Sequence, residues 1–498
     1  MENSAPLRRA LSGNGLDKIR PLLYYRLAVG LWADLSFPHI PVPSCGAGEN
    51  TGRFFPLRHT FFGGVCPTPH KQLTQRKPLA LLEHPLTEVV IPLRTSSQAP
   101  AFPVVRPGDP VKVGQPIGMT HGEGAYVHAS ISGTVAAIED RPHIWGGRSP
   151  AVIIKSDFLD TPWPGRPAPL TEEDIDLEVL LDRVNEAGIV GMGGGAFPTA
   201  EKLRAAAGRV KTLIINAAEC EPFVTADHRV FLEHNVQILR CAEVLLRCLG
   251  GKGIAIVIEG DKLNAVELVD RRLRKQHSAV KLYTLRTRYP MGGEKQVVQI
   301  VTGREMKIGQ TPLDVGCLVL NVSTIYAIYQ ALFEGLALTQ RAVTITGGAV
   351  RRPRNMWVPI GTSLRHLLGE TDGLRPGVAK LSVNGVMMGL PVEELDATVS
   401  KDTSCLVCLA PGEFHEDRQE TVCIRCGKCV DTCPMHLNPA FIAQALRQED
   451  RARLARLHPE DCLSCGCCSF ICPANIPLTE LASQAKEIRL NRKEAGSV

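Results

Sequence analysis

Near its C-terminus the chain repeats one cysteine spacing that few folds can accommodate. The first copy reads Cys423-x2-Cys426-x2-Cys429-x3-Cys433-Pro434, and the second reads Cys462-x2-Cys465-x2-Cys468-x3-Cys472-Pro473. At this spacing three thiolates hold three irons of a 4Fe–4S cubane, and the partner run lends the fourth. Two copies therefore predict two clusters with crossed ligation. Cys423, Cys426, Cys429 and Cys472 make one set, and Cys462, Cys465, Cys468 and Cys433 the other. Disulfide frameworks suit small secreted domains, and zinc takes its ligands as separated pairs. Neither describes two identical runs in a 498-residue chain with no cleavable signal pattern. Cys467 stands beside Cys468 and competes for the third position. Spacing favours Cys468 and leaves Cys467 as a small buried thiol. Electron transfer is the function that this pattern implies.

The length predicts several domains, because single cores seldom grow beyond about 250–300 residues. A net charge of +5 is small for 498 residues, and aromatics make up only 5%, so nucleic acid is not an expected partner. No stretch of about 20 uncharged apolar residues occurs to span a membrane. The nearest candidate, residues 21–35, carries Arg26 and Asp34.

The fold class expected is multidomain α/β. Residues 1–55 lack a sustained period and read as an irregular N-terminal extension, either an over-called start or a real arm. Residues 56–165 hold short β-branched runs broken by Gly and Pro. Val105–Val111 and Ala129–Val135 there resemble the halves of a biotinyl/lipoyl-type barrel-sandwich. No Met-Lys pair marks an attachment site, so this β domain reads as scaffold. In residues 166–340 apolar strands alternate with amphipathic helices, which implies a parallel, Rossmann-like α/β layer. Val210–Asn216 and Ile254–Ile258 are its clearest strands. Residues 341–400 return to β-rich text around a helix at Leu364–Leu368 and suggest a β-grasp module. Residues 401–498 read as an α-helical ferredoxin domain. In it Asn438 caps a helix begun by Pro439, and Phe441, Ile442, Ala445 and Leu446 share one face. Leu478, Leu481, Ala485 and Ile488 make a second stripe. Cys405-x2-Cys408 has no second pair and reads as structural.

A glycine-rich turn runs from Gly188 through Gly191, Gly193, Gly194 and Gly195 to Pro198 and Thr199. Glycines let backbone N–H groups approach a ligand, and a helix begun at Pro198 favours an anion, with Lys202 one turn in. No Gly-Lys-Ser/Thr follows, so this is not a P-loop. Asn216-Ala217-Ala218-Glu219-Cys220-Glu221-Pro222 follows a strand, at the edge where α/β sheets bind ligands. Tyr289–Gln296 is a second glycine turn. Asn321-Val322-Ser323-Thr324 opens an apolar helix that Ser323 or Thr324 is expected to cap.

With these motifs the chain resembles the C subunit of the Rnf (Rsx) ion-translocating electron transport complex, from Phe61-Phe62-Gly63-Gly64 to the C-terminus. Its middle part is similar to the flavin-bearing, NADH-oxidising subunit of respiratory complex I. The resemblance implies noncovalent FMN and NADH held by Gly191, Gly193, Gly194, Lys202, Asn216, Glu219, Glu221, Asn321 and Thr324. Glu219 and Glu221 would tune the flavin or contact ribose; alternatively they pair with Lys202 or Lys295. It implies a peripheral subunit on the cytoplasmic face of the cell membrane, passing electrons to membrane subunits, with NAD(H) and ferredoxin as redox partners. Two positions depart from the complex I pattern: Ala218 replaces Asp, and Ala196 replaces Gly. They leave open a second reading, an iron–sulfur relay or adapter without nucleotide binding.

Overall fold

The computed structural model describes residues 59–95, 100–120, 124–275, 280–307, 309–414 and 419–495. The extension read over residues 1–55 lies outside them.

The first body is a small β-sandwich. Its four-stranded antiparallel sheet runs in the order Glu88–Pro92, Arg148–Ser156, Gly133–Pro142, Pro110–Val111. A three-stranded sheet, Phe102–Pro103, Pro116–Met119 and Val127–His128, accompanies it. Alternation aims Val89, Ile91, Val135, Val152 and Ile154 into one core with Ile117 and Val127. The opposite face is closed too: Val90 and Ile153 are buried, and Val90 N donates to Gly361 O at 2.9 Å.

The second body is a four-stranded sheet, parallel throughout, in the order Val280–Leu285, Gly253–Glu259, Thr212–Ala217, Cys317–Asn321. Its inner strands are apolar on both faces. Leu213, Ile214 and Ile215 are consecutive and all fully buried, as a sheet covered on both sides requires. The 23-residue helix Ala226–Cys248 is the longest element packed on it.

The third body is a mixed six-stranded sheet with Gln340–Thr346 and Cys405–Leu409 adjacent at its centre. Its helix Leu364–Gly369 is capped by Ser363, whose Oγ accepts from His366 N at 3.1 Å. The sheet continues past residue 400, where the sequence reading ended this module, because the apolar run Leu406–Val407 supplies an inner strand. Cys405 and Cys408 face opposite cores from that strand. Three residues apart on a strand, they point away from each other and form no half-site.

The fourth body carries both cysteine runs on short helices. Asn438 caps Pro439–Arg447 by accepting from Phe441 N at 3.1 Å, as the sequence indicates. Phe441 does not share the buried face of Ile442 and Ala445. It is 48% exposed and lies under the Arg453 guanidinium, 4.9 Å from the ring centre. Among the described residues no helix is long and apolar enough to cross a membrane.

Candidate functional site

The parallel sheet reverses its order beside Thr212–Ala217. From that strand the chain builds outward through Gly253–Glu259 and Val280–Leu285, then returns to lay Cys317–Asn321 on the other side. Loops leaving the carboxyl ends at such a reversal diverge and open a crevice. Asn216 and Asn321 stand opposite each other in register there.

Four loops meet at this crevice. In the glycine loop, Gly191 N donates to Phe197 O at 2.8 Å and Ala196 N to Gly191 O at 3.0 Å. Gly194 adopts φ 107°, which side chains avoid, and a Cβ on Gly194 or Gly195 would meet no atom within 4 Å. The loop thus turns bare backbone toward open space, ahead of the helix Thr199–Ala206. A Cβ on Gly193 would lie 3.3 Å from that of Asn321, so glycine lets the loop rest on the strand end. Met192 between them is held twice. Its N–H donates to Thr324 Oγ1 at 2.9 Å, and its carbonyl accepts from the buried Arg341 at 2.8 Å.

Asn321, rather than Ser323 or Thr324, caps the helix Val322–Tyr329. Its Oδ1 accepts from Ser323 N at 2.9 Å and Thr324 N at 3.3 Å. Asn321 ends a strand and so keeps the extended backbone of a cap, while Ser323 and Thr324 are already helical. Asn321 Nδ2 and Ser323 Oγ donate to the two oxygens of Asp227, at 2.6 and 2.5 Å. Asn216 Nδ2 donates to Gly292 O at 2.9 Å, and its Oδ1 accepts from Ala218 N at 3.1 Å. These amides brace the loops against one another.

Lys202 pairs with Glu294 at 2.7 Å, not with Glu219 or Glu221. Both partners are partly exposed, so the pair contributes roughly 0–1 kcal/mol and leaves the ammonium available to an anion. Glu219 is buried; its Oε1 accepts from Asp227 N at 2.8 Å at the start of the helix Ala226–Cys248, and Lys71 Nζ donates to its backbone carbonyl. Burial lifts the Glu219 carboxyl to about 7, against the pull of Lys71. Glu221 faces the third body. Its Oε1 accepts from Val386 N at 2.7 Å and Met387 N at 2.5 Å, and burial lifts it to about 7 as well.

Glu221 therefore makes stability depend on pH. A carboxyl raised from 4.5 to about 7 holds its proton more tightly in the folded state. Its contribution is greatest below the unfolded value and is lost as pH rises through about 7. Glu221→Gln removes that loss, so the variant should gain on the parent by up to about 3 kcal/mol across this window. Thermal melts at several pH values check this, and a stability gap that stays constant from pH 4.5 to 7 would contradict it.

Lys71 and Asp227 were not among the residues singled out from sequence. Asp227 is an acidic first-turn residue of the helix after Pro222, a recognisable signal. Lys71 lies 148 positions from Glu219 and carries none.

The cysteine runs adopt matching backbones. Arg425 and Ser464 have φ 56° and 52°, Gly427 and Gly466 79° and 82°, His436 and Asn475 55° and 50°. Cys429 lies beside Cys472 and Cys426, and Cys433 beside Cys465 and Cys462. Cys468 faces Cys465, Cys462 and Cys433. Cys423 and Cys426 are exposed. Cys467 turns away and donates to Tyr289 O at 3.8 Å. All-thiol groups drawn from both runs suit a cluster that distributes its ligands over separate irons. The crevice, with bare loop backbone, a helix N-terminus and Lys202, suits a phosphate-bearing ligand.

Three family models match the chain: the RnfC barrel sandwich hybrid domain over residues 59–158, the Nuo51 FMN-binding domain over 184–330, and a 4Fe-4S dicluster domain over 422–476. Over 393 residues the chain is 37% identical to the C subunit of the proton-translocating ferredoxin:NAD(+) oxidoreductase complex of Clostridium ljungdahlii, covering 78% of this chain and 85% of that one. It is 37% identical over 387 residues to the Na(+)-translocating counterpart of Acetobacterium woodii, covering 77% and 87%. It is 38% identical over 440 residues to the C subunit of the ion-translocating oxidoreductase complex of Cronobacter sakazakii, covering 87% and 56%. Among solved structures, an air-oxidised NAD+-reducing NiFe-hydrogenase aligns with TM-score 0.45 and 18% identity over 63% of each chain, too loosely to bear on individual residues. The chain belongs to the family of C subunits of Rnf-type ion-translocating oxidoreductase complexes.

Proposed function

We propose that this chain is a peripheral subunit of a membrane-bound Rnf-type complex, oxidising or forming NADH at a noncovalent FMN and exchanging the electrons through two 4Fe–4S clusters. Ferredoxin and the membrane subunits are its redox partners, and the other subunits carry the coupled ion. The convergence of the four loops at the sheet reversal, within the region matched by the FMN-binding model, is the observation that carries this reading.

Bound FMN supplies the conversion between hydride transfer and single-electron transfer. The chain's own residues hold and orient. Gly193 and Gly194 offer backbone N–H groups, Gly191 closes the loop by donating to Phe197 O, and Lys202 offers a charge to the phosphate. Asn216, Asn321 and Thr324 fix the spacing of the loops. Glu219 sets the polarity of the crevice wall, and Glu221 ties that loop to the six-stranded body. Cys423, Cys426, Cys429 and Cys472 hold one cluster, and Cys462, Cys465, Cys468 and Cys433 the other. The parallel sheet is Rossmann-like, the six-stranded body is a β-grasp module, and the protein works at the cytoplasmic face of the membrane.

The engaged amides of Asn216 and Asn321 favour a second reading, a relay that lacks flavin. Adding NADH to the anaerobically purified protein separates the two. Bleaching of both flavin and cluster absorbance is expected; a spectrum that dithionite bleaches and NADH leaves unchanged would favour the relay.

A further inference from the structure

The two cysteine runs share a backbone but not their surroundings. Gly427 and Gly466 take the same positive φ at equivalent places. A Cβ on Gly427 would meet nothing within 4 Å, whereas one on Gly466 would lie 2.8 Å from Met387 O. The second run is thus pressed against the six-stranded body. Cys465, Cys467 and Phe470 share one apolar core with Tyr289, Phe223, Val386 and Met387. Around the first run the side chains point to solvent: Val422 is 87% and Ile424 68% exposed, and Cys423 and Cys426 are exposed with them.

The second run also reaches the crevice through a continuous set of contacts. Cys467 follows Cys465 by two residues and lies in the same apolar core. Its thiol donates to Tyr289 O at 3.8 Å. Three residues on, Gly292 N donates to Cys220 Sγ at 3.4 Å and Gly292 O accepts from Asn216. A Cβ on Gly292 would lie 2.5 Å from Ala218 O, so the Tyr289–Gly292 turn and the Asn216–Glu221 loop are in direct contact. Cys433, the residue the first run contributes to this group, is anchored to the same turn. Gly64 N donates to neighbouring Thr432 O at 2.7 Å, and Val65 exchanges backbone hydrogen bonds with Tyr289 at 2.8 Å.

We propose that Cys433, Cys462, Cys465 and Cys468 form the inner electron station, next to the crevice, and that Cys423, Cys426, Cys429 and Cys472 form the outer one. Cys467 is then a positioning residue, the non-ligating thiol that ties the inner set to the Tyr289–Gly292 turn. The proposal rests on the electron-transfer reading above and adds the order of the two centres. Electron tunnelling falls steeply with distance, so the order decides which centre exchanges electrons with the crevice. Oxidation of one NADH to NAD+ yields two electrons and one proton; each cysteine set would hold a centre able to accept one electron, and the proton would pass to water.

The test uses the intact chain, purified anaerobically, with iron content and visible and EPR spectra read after NADH and, separately, after dithionite. Cys429→Ser removes the outer centre, and its remaining irons should still be reduced by NADH. Cys468→Ser removes the inner centre; its remaining irons should respond to dithionite and lose the response to NADH. The reverse pattern, or equal NADH responses in the two variants, would overturn the order. A parent protein that NADH fails to reduce would sink the electron-transfer reading and the order with it.

Cys467 gives an independent handle should Cys468→Ser not fold. Cys467→Ala should keep all its iron and its flavin while NADH-driven cluster reduction slows roughly fivefold, about 1 kcal/mol. Cys467→Ser, which restores a donor to Tyr289 O, should recover the rate. Loss of half the iron in Cys467→Ala would make this thiol a ligand and overturn its assignment; an unchanged rate would overturn its positioning role.

Discussion

Gly292→Ala should weaken flavin binding by roughly one to two powers of ten and leave the iron content intact. The added Cβ would fall 2.5 Å from Ala218 O and 3.5 Å from Cys220 Sγ. The nearest obstacle is backbone, so neither loop can yield without moving the Asn216 amide that spans them at 2.9 Å. Overpacking of this kind costs about 1–3 kcal/mol, and each 1.4 kcal/mol is about tenfold in affinity. Gly292 does not occupy the left-handed region, so the loss would be steric and not a matter of backbone conformation. Fluorescence titration with FMN measures it. Parental affinity in Gly292→Ala would mean that the contact between these two loops does not shape the site.

Cys433→Ser gives the second large effect, and it tests crossed ligation. Cys433 belongs to the first run in sequence but lies beside Cys465 and Cys462 of the second. Its loss should remove about four of about eight irons. The cluster that survives should have the EPR spectrum of the survivor in Cys462→Ser and differ from that in Cys423→Ser. A survivor matching Cys423→Ser instead would show that each run keeps its own fourth cysteine.

What the sequence made legible is what depends on local spacing. Buried strands stood out because a sheet covered on both faces demands continuous apolar runs, as at Leu213–Ile215. Asn438 and Pro439 announced a helix start through cap chemistry that acts over three residues. Where two neighbouring residues could serve, spacing did not choose reliably. Asn321 took the cap expected of Ser323 or Thr324, because the strand before it fixes its backbone. Phe441 left its helix's buried face for the Arg453 guanidinium, a contact with a different helix.

Tertiary partners were beyond reach for the same reason. Nothing near Glu221 in sequence indicates that its carboxylate closes on the backbone of residues 386 and 387, 165 and 166 positions away. Cys467 and Cys468 are adjacent on one short helix. Only the packing of that helix against Tyr289 turns the first toward the Tyr289 carbonyl and the second toward the other thiols.

A flavin and two cubanes belong together on this one chain. The most direct measurement of this is the FMN, iron and acid-labile sulfide content of the anaerobically purified, intact protein. About one FMN with about eight irons and eight sulfides per chain is the predicted result. Iron and sulfide without flavin would contradict the account, leaving the crevice between Asn216 and Asn321 without its ligand.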